Sequence, residues 1–273
     1  MHYFGAHIDS YDNLNKAADR IHNSGGNLIQ LFMFDPKNSQ SFSKHLKTIN
    51  MKSVIHSSYT HNIAKNWDQY SWWIKNIKNE IKYASDLDSF GIVLHVGKKL
   101  DLSQEQAINN MFSSLVFICT NTNTQKYKNI KIFIETSAGQ GTELYSDIQD
   151  LGKFYQKIIN HNLSNRIQIC IDTCHIFSSG YDIRNKETAK KFLNDIDKHI
   201  GLKNIGLIHL NDSKVDIGRR IDRHANINDG YIGIEGLKYI FDFFKKKNVP
   251  IVLETPNQGY IDEINLLKNK IKL

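Results

Sequence analysis

Eight short apolar runs, each followed by a longer amphipathic stretch, constrain the fold of this chain more than any other feature. Most of the runs are nearly continuous in Ile, Val, Leu and Phe, which is typical of parallel strands buried on both faces. The runs are His2–Ile8, Asn27–Phe34, Lys52–His56, Gly91–Val96, Ile130–Glu135, Ile167–Asp172, Ile205–Leu210 and Pro250–Glu254. Eight such units in 273 residues predict an α/β protein, a (β/α)8 TIM barrel that forms a single domain over residues 1–273.

The stretches between the runs have helical periodicity. One apolar stripe is predicted from residues at i, i+3 and i+4 spacing, namely Tyr70, Trp73, Ile74, Ile77, Ile81 and Ala84. Ser103–Gln106 resembles a capping box, and Ile261–Leu273 predicts a last helix that closes the ring. A doubly wound open sheet would require a Gly-rich turn after the first strand. Residues 6–10 contain no glycine, so the barrel is favoured.

Ionisable residues stand where six of the runs end. They are His56, His95, Glu135, Asp172, His209 and Glu254, and His175 follows Asp172 closely. The carboxyl ends of parallel barrel strands open on one face, where active sites lie. Because alternate side chains of a strand share a face, Glu135 lies on the side of Phe133 and His209 on the side of Leu207. We therefore expect these groups to converge above an apolar core.

So many carboxylates and imidazoles in one small volume predict bound divalent cations, because burying them without counter-ions is costly. Imidazole and carboxylate donors without thiolate are typical of catalytic zinc. Asp222 and His224, in the loop after the seventh run, add a further pair that His175 could complete. Nine candidate ligands predict about three zinc ions. Cys170 and Cys174 are excluded, because their C-x3-C spacing has no second cysteine pair.

Several segments resemble the signature segments of the endonuclease IV family of apurinic/apyrimidinic (AP) endonucleases. They are Ile171-Asp-Thr-Cys-His175, His209-Leu-Asn-Asp-Ser-Lys214, Asp222-Arg-His224 and Glu135-Thr-Ser-Ala-Gly-Gln-Gly141, with Gly5-Ala-His7 and Leu253-Glu-Thr255 at the two ends of the barrel. The resemblance therefore extends from the first strand to the last. The departures at Phe34-Asp-Pro-Lys37 and Val96-Gly-Lys-Lys99 leave lesion preference open.

The resemblance implies a DNA repair hydrolase with three zinc ions. The first zinc would be held by His56, His95 and Glu135. Glu135 would bridge to a second, which Asp172, His209 and Glu254 complete, and the third would be held by His175, Asp222 and His224. Glu135 and Glu254 would be the catalytic carboxylates. Tyr59 and Lys37 match positions that enter DNA in the family, and Lys214 and Arg223 could neutralise phosphates.

The expected partner is double-stranded DNA with abasic or 3′-blocked sites, which suits a formal charge of +7. We expect a soluble intracellular monomer, in cytoplasm, nucleus or virion according to its host. The chain shows no secretory signal and no apolar run of the roughly 20 residues needed to span a membrane. Two other interpretations stay open. One is a metal-dependent sugar isomerase or epimerase on the same barrel, and the other is a non-catalytic module that binds damaged DNA.

Overall fold

The apolar runs form a closed parallel barrel. A computed structural model describes residues 2–8, 13–33 and 36–268 of the chain. The strands of this part are β1 (Phe4–His7), β2 (Leu28–Leu31), β3 (Lys52–His56), β4 (Gly91–His95), β5 (Lys131–Glu135), β6 (Ile167–Asp172), β7 (Ile205–His209), β8 (Asp212–Ser213), β9 (His224–Ala225) and β10 (Ile251–Leu253). The barrel order is β1-β10-β7-β6-β5-β4-β3-β2, and it closes because β1 pairs with both β2 and β10. The predicted TIM barrel is confirmed.

Strand ends agree best where a polar residue follows an apolar run. The bounds of β3 and β6 are those predicted. The second run was predicted to continue to Phe34, but β2 ends at Leu31, and Phe34 lies outside the described residues. The ring of Phe32 has left the sheet and packs edge-on against His7, with ring centroids 4.8 Å apart. Apolar content therefore overestimates this strand, because Phe32 is apolar but lies beyond the last residue of β2.

Helices connect the strands. Over the described residues they are α1 (Leu14–Asn23), α2 (Ser39–Thr48), α3 (Trp72–Asp86), α4 (Gln104–Asn121), α5 (Ile148–Asn160), α6 (Thr173–Ser179), α7 (Lys186–His199), α8 (Ile234–Lys246) and α9 (Tyr260–Lys268). None of them combines the length and apolar character needed to cross a membrane. The capping box of α4 is confirmed, because Ser103 accepts from the Gln106 amide while the Gln106 side chain accepts from the Ser103 amide.

Two helix predictions need comment. Placing Tyr70 in the apolar stripe was wrong, because α3 begins at Trp72, with Ser71 as its N-cap residue. Tyr70 precedes the helix and is 69% exposed. The closing helix, predicted as Ile261–Leu273, is present as α9, whereas residues 269–273 lie outside the described part of the chain.

One apolar layer fills the interior of the barrel. It consists of Leu28, Val54, Val93, Phe133, Cys170, Leu207 and Val252. On β1 the position level with Leu28 is Gly5, where an added Cβ would lie 1.6 Å from the Leu28 carbonyl oxygen. Only glycine permits that close approach. This apolar layer is the floor on which the residues at the strand ends stand.

Candidate metal centre

A layer of polar side chains lies above the apolar layer, towards the carboxyl ends of the strands. Each barrel strand contributes the residue two positions after its apolar-layer residue, because alternate side chains share a face. These residues, which we call the polar ring, are His7, Gln30, His56, His95, Glu135, Asp172, His209 and Glu254. The ring thus contains the six predicted strand-end ligands, together with His7 and one residue that was not predicted, Gln30.

Glu135 is the residue of the polar ring that lies close to three of its histidines, and it is 1% exposed. Its Oε1 lies 2.7 Å from His209 Nδ1. Its Oε2 lies 3.3 Å from His95 Nδ1 and 3.7 Å from His56 Nε2. Since its two oxygens face different imidazoles, Glu135 is placed where one carboxylate could serve two ions.

The loop residues Asp222 and His224 reach the ring beside Asp172. Asp222 Oδ1 lies 3.2 Å from His175 Nε2 and 3.3 Å from His224 Nε2, and Asp172 Oδ2 lies 3.6 Å from His224 Nε2. Asp172 also caps α6 by accepting from the His175 amide at 2.9 Å, which orients the first turn of that helix. On the other side, the antiparallel β8–β9 pair holds His224. The structure therefore brings the predicted third ligand group together.

The donor atoms fit bound cations. Among the described residues, groups of donor atoms within 4.8 Å of one another include every predicted ligand except His95, which approaches the groups through Glu135. Some buried atoms of the site have no hydrogen-bond partner within the described part of the chain, namely His95 Nε2, Glu135 Oε2, His175 Nε2 and His224 Nε2. Unpaired buried polar atoms are unfavourable, and nitrogen and carboxylate oxygen donors suit zinc.

Cys174 was excluded from the ligand set, yet its sulfur lies within 4.8 Å of donor atoms of Asp172 and His224. Burial raises the pKa of the Cys174 thiol to about 12. The thiol also donates to the Arg223 carbonyl oxygen at 3.6 Å. Because the thiolate is the form that binds metal, these properties agree with leaving Cys174 out.

Burial and mutual contact shift the pKa values of the site. Burial opposes the charge on Asp222, but the adjacent imidazoles of His175 and His224 hold the pKa of Asp222 well below its usual range. Burial alone would lower the pKa of His224, but Asp172 and Asp222 raise it to about 9. The Asp222 carboxylate thus remains ionised and favours a positive charge on its imidazole neighbours, a role that a divalent cation can take over with release of protons.

Two buried amides that the sequence patterns did not single out support the carboxylates. Asn211 Nδ2 donates to Asp172 Oδ2 at 2.7 Å, and Asn211 Oδ1 accepts from the Glu254 amide at 2.7 Å. Gln30 contacts Glu254, His7 and His209. If the second strand had been predicted to end at Leu31, the two-residue spacing from the apolar layer would have placed Gln30 among the side chains at the strand ends. Asn211 lies within a signature segment, but it is uncharged, so the search for ionisable residues did not single it out.

Comparison with known proteins shows the family of this chain. A family model described as the xylose isomerase-like TIM barrel, of AP endonuclease family 2, matches residues 12–270. The probable endonuclease 4 of Mycoplasma mobile is 34% identical over 98% of this chain and 96% of that protein. The chain belongs to the endonuclease IV family.

Solved structures agree with this endonuclease IV fold. Endonuclease IV from Thermus thermophilus is similar over 97% of this chain and 96% of that chain, with a TM-score of 0.76 and 24% identity. A D-tagatose 3-epimerase-like protein is similar over 98% of this chain and 95% of that chain, with a TM-score of 0.74 and 19% identity. At these identities the two structures show the barrel alone, so the sequence relatives distinguish the endonuclease from the epimerase interpretation.

The DNA-facing residues expected in this endonuclease IV family member are all at the surface. Tyr59 is 69% exposed and lines a cavity of about 190 Å³ together with His56, His95, Glu135 and Glu254. Arg223 is exposed and lines the neighbouring cavity with Tyr59. Lys37 and Lys214 are exposed, and neither is among the described residues that line these two cavities. The geometry thus brings Tyr59 and Arg223 to cavities that the proposed ligands also line, whereas the two lysines are not among the described lining residues.

Proposed function

We propose that this AP endonuclease hydrolyses the phosphodiester bond on the 5′ side of an abasic site in double-stranded DNA with three zinc ions. The products would be a 3′-hydroxyl and a 5′-deoxyribose phosphate, and the same site would trim blocked 3′ ends. The observation that carries the proposal is the polar ring with its adjoining loop group, in a chain whose relatives are named endonuclease 4.

The nine predicted ligands divide into three groups, and the first two groups share one carboxylate. His56, His95 and Glu135 would hold the first zinc. Glu135 would be shared with the second, which Asp172, His209 and Glu254 complete, and His175, Asp222 and His224 would hold the third. The close approach of Asp222 to both His175 and His224 supports the third group. Bound zinc would supply positive charge to a phosphate and make water acidic enough to ionise near neutral pH.

Glu254 is the carboxylate of the ring best placed to handle a proton. Its side chain is 11% exposed, against 1% for Glu135, and it lines the cavity. Burial opposes its charge, but His209 holds the pKa of Glu254 well below its usual range. An ionised carboxylate at the cavity surface can orient an attacking water and accept its proton. Glu135 is buried more deeply and would act as the shared ligand.

The cavity beside the ring suits a nucleotide without a base. Its volume of about 190 Å³ is smaller than the roughly 300–1,000 Å³ of common ligand pockets. Tyr59 and Tyr260 line it together with the proposed ligands, so an extruded sugar would contact aromatic rings while its phosphate faces the ligands. Extrusion costs least where no base is stacked, which favours abasic sites. Arg223 would neutralise a neighbouring phosphate, with Lys37 and Lys214 acting further along the duplex.

Cleavage of an end-labelled abasic duplex tests this function. We expect incision 5′ to the lesion, loss of incision after exhaustive chelation and recovery with added Zn²⁺, whereas an undamaged duplex stays intact. A parallel incubation with D-tagatose tests the epimerase interpretation. Turnover of the ketose without incision of DNA would overturn the proposal, and so would incision that is unaffected by chelation.

A further inference from the structure

All eight residues of the polar ring belong to the described part of the chain. Gln30 is the only one of them without a titratable group. It is fully buried on β2, directly above Leu28. Its Nε2 donates to Glu254 Oε1 at 2.6 Å and to His7 Nδ1 at 3.1 Å. Its Oε1 accepts from His209 Nε2 at 2.8 Å. A neutral amide therefore joins two of the proposed zinc ligands.

These partners fix the orientation of the amide. An ionised carboxylate only accepts hydrogen bonds, so the Gln30 NH2 group must face Glu254. Turned end for end, the amide would place its oxygen against that carboxylate. With the NH2 group on Glu254, the Gln30 oxygen is left for His209, and the Nε2 atom of His209 must carry a proton to donate to it.

The proton on Nε2 decides which nitrogen of His209 can bind a cation. His209 Nδ1 lies 2.7 Å from Glu135 Oε1 and 3.0 Å from Glu254 Oε2, within the donor group that also contains Asp172. An imidazole binds metal through one nitrogen while the other donates a hydrogen bond that fixes the ring. In His209 the atom that would bind a cation is thus Nδ1, and the acceptor that fixes the ring is Gln30.

Other histidines of the site have the opposite arrangement. The Nδ1 atoms of His56 and His175 each contact a backbone carbonyl oxygen at 2.8 Å, and that of His224 does so at 3.2 Å. The backbone therefore leaves Nε2 free to coordinate in these three rings. In His209 it is Nδ1 that points towards the carboxylates of the site, and the Gln30 side chain supplies the acceptor that a backbone carbonyl supplies to the other rings.

We propose that Gln30 is a positioning residue for the second zinc. It holds His209 protonated at Nε2, so that Nδ1 is the coordinating nitrogen, and it aims the Glu254 carboxylate at the same ion. This inference rests on the zinc site proposed above.

Zinc affinity tests the inference without any DNA. Gln30→Met keeps similar bulk but removes both the donor and the acceptor. Gln168→Met is a matched control, because Gln168 lies on β6 two positions before Cys170, on the other side of the apolar layer. In competition with a chromophoric chelator, we expect Gln30→Met to hold one zinc roughly 10–100-fold more weakly than the wild type. Gln168→Met should match the wild type.

NMR of the zinc-loaded, 15N-histidine-labelled protein tests the tautomer itself. We expect the ring of His209 to be protonated at Nε2, and the rings of His56, His175 and His224 to be protonated at Nδ1. Gln30→Glu keeps an oxygen that accepts from His209 but sets a second carboxylate against Glu254. That variant should keep the Nε2-protonated pattern of His209 while binding zinc more weakly, whereas Gln30→Met should lose the pattern.

The possible outcomes separate this inference from the proposed function. Equal zinc affinity in wild type and Gln30→Met would overturn the role of Gln30 and leave the zinc site standing. A wild-type protein that binds no zinc would overturn both. If circular dichroism shows that Gln30→Met does not fold, Gln30→Glu decides the matter. Zinc affinity equal to that of the wild type, or an Nδ1-protonated His209, would then refute the proposal.

Discussion

Exposure separates the two kinds of functional side chain in this AP endonuclease at the scale of single residues. The proposed ligands Glu135 and Asp172 are almost fully buried, whereas Tyr59 is 69% exposed. Replacing an exposed side chain rarely changes the stability of the fold by much. The proposed DNA contacts can therefore be tested individually with the metal site left intact.

Lys37 gives a prediction about salt. If Lys37 neutralises one phosphate, Lys37→Ala should lower affinity for abasic duplex and reduce the slope of log K against log salt by about one unit. Lys246→Ala is the matched control, because Lys246 ends α8 and the C-termini of barrel helices lie at the face opposite the site. Binding titrations across a salt series measure the slope. An unchanged slope in Lys37→Ala would show that Lys37 neutralises no phosphate and is an ordinary solvent-exposed side chain.

Tyr59 gives a prediction about recognition. Its ring lies 5.5 Å from the rings of His56 and His95, between centroids, at the mouth of the cavity. Tyr59→Ala should slow single-turnover cleavage of abasic duplex by roughly 10-fold or more, because an aromatic contact worth about 1–3 kcal/mol is lost. Zinc content should not change. Tyr70→Ala, which removes an equally exposed tyrosine from outside the cavity lining, is the control. Equal rates for the two variants would contradict the role.

At the scale of elements, a buried network ties α3 to the segment that follows β3. Glu80 Oε2 accepts from Ser57 Oγ at 2.5 Å, and Ser57 Oγ lies 2.8 Å from His61 Nδ1. The Ser57 carbonyl oxygen contacts His56 Nδ1 at 2.8 Å. Burial raises the pKa of Glu80 to about 7 and lowers the pKa of His61 to about 4. The network therefore couples a protonatable helix residue to the segment that carries a ligand and Tyr59.

The raised pKa of Glu80 predicts a pH effect on stability. Between about pH 4.5 and 7 the folded state holds the Glu80 proton and the unfolded state has lost it, so the free energy of unfolding falls as pH rises. The full effect is on the order of 3 kcal/mol. Glu80→Gln cannot ionise, so its stability relative to the wild type should increase across this window.

Urea unfolding of metal-free protein at about pH 5 and pH 7.5 measures that difference. In the folded state His61 is neutral at both pH values. The other titrating groups are common to both proteins, so their contributions cancel. Glu187→Gln, at an exposed position on α7, is the control. A constant difference between Glu80→Gln and wild type at both pH values would show that Glu80 ionises normally.

The loop that ends in β9 gives a prediction about the third zinc. Asp222→Asn/His224→Ala should lower zinc content by about one ion per chain without unfolding the barrel, because neither residue belongs to the apolar layer. Affinity for abasic DNA should fall only modestly. The single-turnover cleavage rate should fall by roughly 100-fold or more, because charge stabilisation of the transition state is lost. Asp216→Asn, elsewhere in this loop, is the control. Cleavage within a few-fold of wild type would make the third ion structural.

The barrel and the convergence of the strand-end side chains could be predicted from the sequence because strand alternation and polar strand ends repeat around the barrel. Glu135 and His209 each follow an apolar residue by two positions, and this spacing alone aims them into the site. Gln30 was missed because the apolar Phe32 extended the second predicted strand past its end. Tyr70 was misplaced because the period of a helix does not mark where the helix begins. Contacts between distant strands, such as Gln30 with His209, leave no mark in a local pattern.

At the scale of the whole molecule, the metal ions should contribute to stability. The site gathers carboxylates from several strands, so bound cations would relieve repulsion that chelation restores. A ligand at 100 times its Kd stabilises a protein by about 2.7 kcal/mol, which corresponds to roughly 5–10 °C in Tm for a chain of this size. We expect about three zinc ions per chain after dialysis, and a Tm lowered by at least that much after exhaustive chelation. Elemental analysis with one ion or fewer in active protein would contradict the three-zinc site.

The order of the polar ring along the chain has a consequence for protein synthesis. The ring begins at His7 and ends at Glu254, and the strands that carry these two residues pair only when β10 docks against β1. The ribosome therefore synthesises most of the polypeptide before the nascent chain contains a complete set of the proposed ligands. Chains stalled or proteolysed short of Glu254 would be unable to nick the genome. Competence to cut DNA would thus be acquired only at the last stage of folding.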